Sequence, residues 1–366
     1  MKKPLASLLA ALLLVSASGC QSATDSPSPS QAAQPSASPA AQTEEAAWSS
    51  EHYNESMKGT TINLYGVTDA IIPVLDAFYE DTGIKVENLT LKNGEILQRI
   101  ANEKEAGTVI ADVWFTGGAD AFISAADSGL LTAYQSPEAA DIADDMKDVT
   151  GYWTGTSLTV VNWVVNTEVI SELGIEVPTQ WDDLLQPELK GLVSMPDPAS
   201  SGTAYNTVSA ILQTRGEEAG WEYLDQLIQQ VPYFTARGSD PANNVIAGEA
   251  AVGINAGTGN KSLEEDYPQV ELVYPTDGTG WWPQPVGILE GCSHPEEAKV
   301  FIDWLLSDRG LEEVGKAQNA MLVKDDVPAP DGIMALSEIA LFPTDFKANA
   351  ADRDAILEQW AEKVGN

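Results

Sequence analysis

Residues 196–205 read Pro196-Asp197-Pro198-Ala199-Ser200-Ser201-Gly202-Thr203-Ala204-Tyr205. A short apolar run, Leu192–Met195, stops at a Pro-rich turn, and small hydroxyl residues then open a helical pattern over Thr203–Gln213. A helix N-terminus presents free backbone N–H groups and a partial positive charge, which favour an anion. Gly202 lets the backbone approach a ligand, while Ser200, Ser201 and Thr203 add hydroxyl donors. Taken alone, the stretch fits ordinary N-capping equally well.

The same strand–turn–helix grammar repeats on either side. Thr61–Val67 is β-rich and Asp69–Thr82 carries a helical apolar face closed by Gly83; Ile84–Leu91 and Ala111–Phe115 read as strands, Glu95–Glu105 as a helix, with another running to Asp127. A second series has strands at Leu158–Asn166, Leu192–Met195, Tyr233–Ala236, Ala251–Asn255, Val270–Tyr274 and Pro285–Leu289. Helices at Thr203–Gln213, Glu218–Gln230 and Asn243–Gly248 intervene, and the tail reads as helices at Pro295–Ser307, Leu311–Gln318, Gly332–Leu341 and Ala350–Val364. Strands alternating with helices of this length predict an α/β fold with mainly parallel sheets flanked by helices. The 366 residues exceed what one core usually supports, so two lobes are expected.

In such sheets ligands bind where loops leave the carboxyl ends of the strands. The loops available are small, polar and Gly-rich, and supply Thr68, Asn93, Thr116, Gly117, Gly118, Ser239, Asn255 and Thr258 beside the 200–203 stretch. They carry few acid–base groups. Arg237 is one of few cations placed in such a loop, where it could grip a carboxylate or phosphonate bidentately; a structural ion pair is the other reading. Trp281 and Trp282 could stack on a ligand or pack the interior.

Composition excludes much else. Asp and Glu number 55 against 19 Lys and Arg, a net charge of −36, so no basic face for nucleic acid can be assembled. Two His and two Cys leave little room for a zinc enzyme or a disulfide scaffold. There is no G-x-S-x-G, H-E-x-x-H or C-x-x-C, and Gly257-Thr258-Gly259-Asn260-Lys261-Ser262 fails the phosphate-loop spacing because Asn260 intervenes. Neither catalysis, a cofactor nor a bound metal is expected.

Met1-Lys2-Lys3 followed by the apolar run Leu5–Val15 has the layout of a secretory signal. It ends in Ala17-Ser18-Gly19-Cys20, which resembles the lipobox of bacterial lipoproteins and implies cleavage after residue 19 and lipid on Cys20. Residues 20–57 are rich in Ser, Ala, Pro and Gln, the composition of a flexible tether spanning roughly 30–35 Å. Cys292 reads as a small buried residue rather than a nucleophile.

The 196–205 stretch does not stand alone. With Ala111–Gly118, Pro178–Leu185, Lys190-Gly191, Gly248–Ile254, Pro295–Lys299 and Phe301–Trp304, in that order along residues 60–364, the chain resembles the extracellular solute-binding proteins of the ferric-iron type, which serve ABC importers. The resemblance implies a type II periplasmic-binding-protein fold: two α/β lobes joined by two crossing strands, closing on a ligand. The implied division is 58–157 with 284–366 as the first lobe and 158–283 as the second, the C-terminal helices being placed with the first or shared. Iron-binding relatives carry adjacent tyrosines where this chain reads Asn255-Ala256-Gly257-Thr258-Gly259, and sugar-phosphate-binding relatives carry His-Asp a little further along. Neither pattern is present. The expectation is therefore a monomeric, lipid-anchored extracytoplasmic receptor for a small anionic organic solute, partnered by an ABC permease and touching the membrane only through its lipid. Ferric iron or a ferric complex is the alternative ligand; a surface adhesin or sensor and a secreted two-domain transferase are the alternative functions.

Overall fold

A computed structural model describes residues 48–257 and 261–365. The proposed signal at 1–19, Cys20 and Thr258 lie outside these residues, as does the tether up to residue 47. The first α/β series comprises β1 (Thr61–Gly66), α1 (Ile72–Thr82), β2 (Lys85–Thr90), α2 (Asn93–Ala106), β3 (Val113–Phe115), α3 (Ala119–Asp127) and β4 (Leu131–Thr132). A 13-residue strand, β5 (Thr154–Asn166), leads into α4 (Thr167–Leu173), β6 (Val193–Pro196), α5 (Gly202–Arg215), α6 (Glu217–Gln230), β7 (Phe234–Thr235), α7 (Asp240–Ile246), β8 (Val252–Gly257), α8 (Lys261–Asp266) and β9 (Val270–Val273). The chain returns along β10 (Trp281–Leu289) and closes with α9 (Pro295–Leu306), α10 (Asp308–Gln318), β11 (Met321–Leu322) and α11 (Phe346–Val364).

The strands follow the order β2-β1-β3-β10-β5-β8-β6-β7, with β4 on β10 and β9 and β11 on β5. Pairing is parallel in the flanking strands (β1 with β2 and β3, β6 with β7 and β8), as the strand–helix alternation predicts. Every pairing of β5 and β10 is antiparallel, because these two strands run in opposite directions through the middle.

β5 links two hydrophobic cores. Its Leu158 and Val160 belong to a cluster with Leu64, Phe78, Trp114, Phe122, Phe301 and Trp304, while Val161, Trp163 and Val165 belong to another with Trp181, Val208, Leu224 and Ile254. Side chains alternate across a strand, so these two groups project from opposite faces of β5, which is buried on both faces along nearly its whole length. Aromatic edges lock each core: Phe78 meets Phe301 at 5.0 Å, and Trp163 meets Trp181 at 5.2 Å, both nearly perpendicular.

Three expectations need correction. The tether does not extend to residue 57: Trp48 and Tyr53 pack on the first core, Met57 is buried, and Ser50 Oγ donates to Asp303 Oδ2 at 2.5 Å. The helix predicted over Gly332–Leu341 is reduced to one 3-10 turn, Leu336–Glu338, because the stretch pairs with the crossing region instead. Thr279 N–H donates to Ala340 O at 3.0 Å and Phe342 N–H to Thr279 O at 2.8 Å. Finally, β10 begins at Trp281 and not at Pro285; its two prolines are accommodated by a register shift between Gln284 and Pro285. The helix α4 and the short strands β4 and β11 were not foreseen. The long α11 touches both cores, with Phe346 in the first and Trp360 in the second.

Candidate functional site

The turn from β3 to α3 is held in an unusual conformation. Thr116 has φ +68° and Gly117 φ +126°. A β-branched residue in the left-handed region is strained and persists only where its surroundings fix it. Here they do: Thr116 N–H donates to Pro285 O at 2.9 Å, and Thr116 Oγ1 accepts from Val67 N–H at 3.2 Å. Gly117 N–H donates to Gln284 Oε1 at 3.0 Å, and Gln284 Nε2 donates to Thr159 Oγ1 at 2.8 Å. The turn is thus bolted to both crossing strands. Gly118, the N-cap of α3, supplies no side-chain cap. Thr68 serves a local role, its Oγ1 accepting from Ala70 N–H at 3.1 Å, and Asn93 is the first residue of α2.

The opposing turn, from β6 to α5, is tied to the β7–α7 loop. Ser200 Oγ donates to Ala236 O at 3.0 Å, and Ser201 caps α5 through Ala204 N–H at 3.5 Å. A methyl on Gly238 would fall 2.7 Å from Thr203 Oγ1 and 3.3 Å from Ser201 Oγ, so only glycine lets the loops approach so closely. Ser201 and Thr203 are buried by this packing, whereas Ser200, Gly202, Arg237 and Ser239 are exposed. Arg237 uses its backbone N–H on Asp240 Oδ2 at 3.1 Å, and its guanidinium has no partner among the described residues. The described residues thus give no ion pair to Arg237.

Between the turns lies a cavity of about 220 Å³ that brings together Gly118, Gly202 and Trp282 of the predicted residues. The start of α3 adds Asp120, the first turns of α5 add Tyr205 and Asn206, and α11 adds Phe346, Asn349 and Arg353. Tyr205 is buried, its hydroxyl donates to Asn349 O, and burial pushes its phenol up to about 12 against the pull of Arg353, so it stays neutral. A wider hollow of about 410 Å³ at residues 135–154 lies away from both helix N-termini.

Trp281 requires a correction. It is 1% exposed, donates its indole N–H to Phe342 O at 2.9 Å, and meets Phe346 edge-on at 5.0 Å. It is a core residue and not a stacking platform. Asn255 is bonded to Asn162 Oδ1 at 3.4 Å across the β5–β8 ladder, on the other face of β5 from Thr159. Sequence reasoning missed Thr159, Gln284, Tyr205, Asn349 and Arg353. A polar residue flanked by Pro283 and Pro285 was a signal for Gln284; the others are recruited over long sequence separations. Among the described residues no group of three His, Cys, Asp or Glu side chains could hold a metal ion. The groups gathered here offer hydrogen bonds and charge.

Residues 109–335 match the family described as bacterial extracellular solute-binding protein. An uncharacterised protein of Haemophilus influenzae is 31% identical over 79% of this chain and 85% of its own length. A putative 2-aminoethylphosphonate-binding periplasmic protein of Salmonella paratyphi A is 27% identical over 70% of this chain and 74% of its own. Among solved structures, the periplasmic binding protein AfuA from Actinobacillus pleuropneumoniae, with exogenous fructose-6-phosphate bound, superposes with a TM-score of 0.70 at 29% identity, covering 84% of this chain and 99% of that one. The chain belongs to the bacterial extracellular solute-binding proteins of the ferric-iron type, with their type II periplasmic-binding fold.

Proposed function

We propose that the protein captures a small anionic organic solute, of the phosphonate, sugar-phosphate or carboxylate type, and delivers it to an ABC import permease. The observation that carries this reading is the meeting of two helix N-termini, Gly118 and Gly202, across one cavity beside the crossing strands. In a chain of net charge −36, an anion must be recognised locally, by oriented N–H groups and by isolated cations such as Arg237. The two cores would move as two lobes, residues 58–157 with the chain after 284 against residues 158–283, β5 and β10 bending as the hinge. An organic ligand is favoured over ferric iron because iron takes hard phenolate and carboxylate oxygens, and β8 ends in Asn255-Ala256-Gly257. The relatives named for 2-aminoethylphosphonate and fructose-6-phosphate support the same chemical class.

We place the mature protein as a monomer outside the cytoplasm, held by lipid on Cys20 through a tether ending near Trp48. Cys20→Ala should release it from the membrane fraction. A thermal-shift screen over phosphonates, sugar phosphates, carboxylates, polyamines and ferric complexes tests the ligand. At a hundredfold excess over Kd a true ligand stabilises by about 2.7 kcal/mol, a rise of several degrees in Tm. A response to ferric complexes alone would overturn the organic-solute reading, and silence across all classes would overturn the receptor reading.

A further inference from the structure

We propose that the cavity closed by α11 is a bipolar subsite: Arg353 and Asn349 receive an anionic group of the solute, and Asp120 receives a cationic one. The inference rests on the receptor reading above and deepens it, naming the solute class as small molecules that carry both an anionic and an ammonium group.

The cavity holds about 220 Å³, below the roughly 300–1,000 Å³ of pockets that enclose whole ligands. It therefore suits part of a solute whose remainder lies at the two helix N-termini. Its lining carries charges of both signs. The Arg353 guanidinium stacks 4.3 Å over the Tyr205 ring, which orients it, and it makes no hydrogen bond or ion pair among the described residues. Asp120 is exposed and likewise unpaired. Each placement has a local explanation: cation–π stacking for Arg353 and the helix dipole for Asp120 in the first turn of α3.

Asn349 has none. It is 4% exposed, and its Oδ1 is taken by Ser209 Oγ and Gln213 Nε2. Its Nδ2 has no partner. Buried polar groups are bonded in the great majority of cases, so an orphan donor beside a cavity asks for an acceptor. Guanidinium, orphan amide and the start of α5 at Gly202 are all donors, and Asp120 is the one anionic acceptor among the lining side chains. That division fits an anionic oxygen at one end and an ammonium at the other. Helix α11 lies outside the matched residues 109–335.

Isothermal titration of the protein lacking residues 1–20 tests this with two matched pairs: 3-aminopropylphosphonate against propylphosphonate, and glucosamine 6-phosphate against glucose 6-phosphate. In at least one pair the amino compound should bind at least about tenfold more tightly, the worth of one well-placed charged contact. Asp120→Asn should erase that margin and leave the amine-free compound within about twofold of wild type. Arg353→Gln should weaken both members, and Arg353→Lys should restore part of the loss by returning the charge without the fork. Neither side chain makes a hydrogen bond or ion pair among the described residues, so melting curves within about 3 °C of wild type serve as the folding control. A margin that survives Asp120→Asn, or amine-free compounds binding equally well, overturns the subsite while leaving the receptor intact. If neither pair binds, the subsite is overturned, and if the wider screen is silent too the receptor reading falls with it.

Discussion

Replacing Thr116 by glycine separates stability from binding. Thr116 sits at φ +68°, where a non-glycine residue costs about 1–2 kcal/mol. Glycine would relieve that strain but regain roughly 0.5–1 kcal/mol of unfolded-chain entropy. It would also lose the hydroxyl that accepts Val67 N–H at 3.2 Å, worth about 1 kcal/mol net. The terms nearly cancel. The expected loss is about 1 kcal/mol or less, a fall of roughly 2–3 °C in Tm for a body of this size. Affinity should suffer more. The turn at 116–118 holds the N-terminus of α3 in place because Thr116 cannot relax; with glycine there, one or two residues must be ordered on binding, at about 1–2 kcal/mol each. That predicts a Kd roughly 5- to 30-fold weaker for the tightest compound found in the screen. Thr116→Ser keeps both the hydroxyl and the restriction at φ, and should bind within about twofold of wild type. Calorimetry and thermal melts on the same samples check both halves. If Thr116→Gly binds as tightly as wild type, the turn is not preorganised for a ligand and its strain has another cause.

Other consequences are simpler to test. Gly310→Ala would place a methyl 2.1 Å from Trp304 O and 2.7 Å from Leu305 Cα, both backbone atoms; a loss of at least about 3 kcal/mol is expected, and a melt within about 1 °C of wild type would contradict the packing of α10 on α9. Asp303 is 1% exposed and accepts from Ser50, Tyr134 and Ser136. Asp303→Ala strands three hydroxyls at about 1–3 kcal/mol each, so it should destabilise well beyond Ser50→Ala; equal effects by chemical denaturation would show that residues 48–57 are not docked as described. Burial, with Asp112 adding to it, pushes the Cys292 thiol up to about 11. In a Cys20→Ser background at pH 8 it should react with a disulfide reagent about two orders of magnitude more slowly than an ordinary thiol, and fast labelling would place it in the open.

What was readable in the sequence, and what was not, follows from how far each signal reaches along the chain. Helix stops at Gly83 and strand–helix alternation are local, and the elements they predict, the helix over Gly332–Leu341 excepted, stand in the structure within a few residues. The first four residues of β5 were missed because Thr154, Thr156 and Ser157 are polar yet buried, their burial imposed by β10 and not by their own pattern. Gly118 and Gly202 could be chosen because each stands where a turn after a strand opens a helix. Tyr205 and Asn349, 144 positions apart, meet only through the docking of α11.

The tryptophan pair marks where a local rule was available and unused. Neighbouring residues of a strand point to opposite faces, so Trp281 and Trp282 could never both line one cleft. The register decides between them. Trp281 pairs with Val160, already committed to the first core, whereas Trp282 pairs with the half-buried Thr159. Two residues further along the same face of β10 stands Gln284, bonded to Thr159 Oγ1 and to Gly117 N–H. Thr159, Trp282 and Gln284 therefore share one face of the β5–β10 pair, and the Gln284 side chain joins both strands to the strained turn at Thr116, so bending of β5 against β10, as proposed above for lobe closure, would load that side chain.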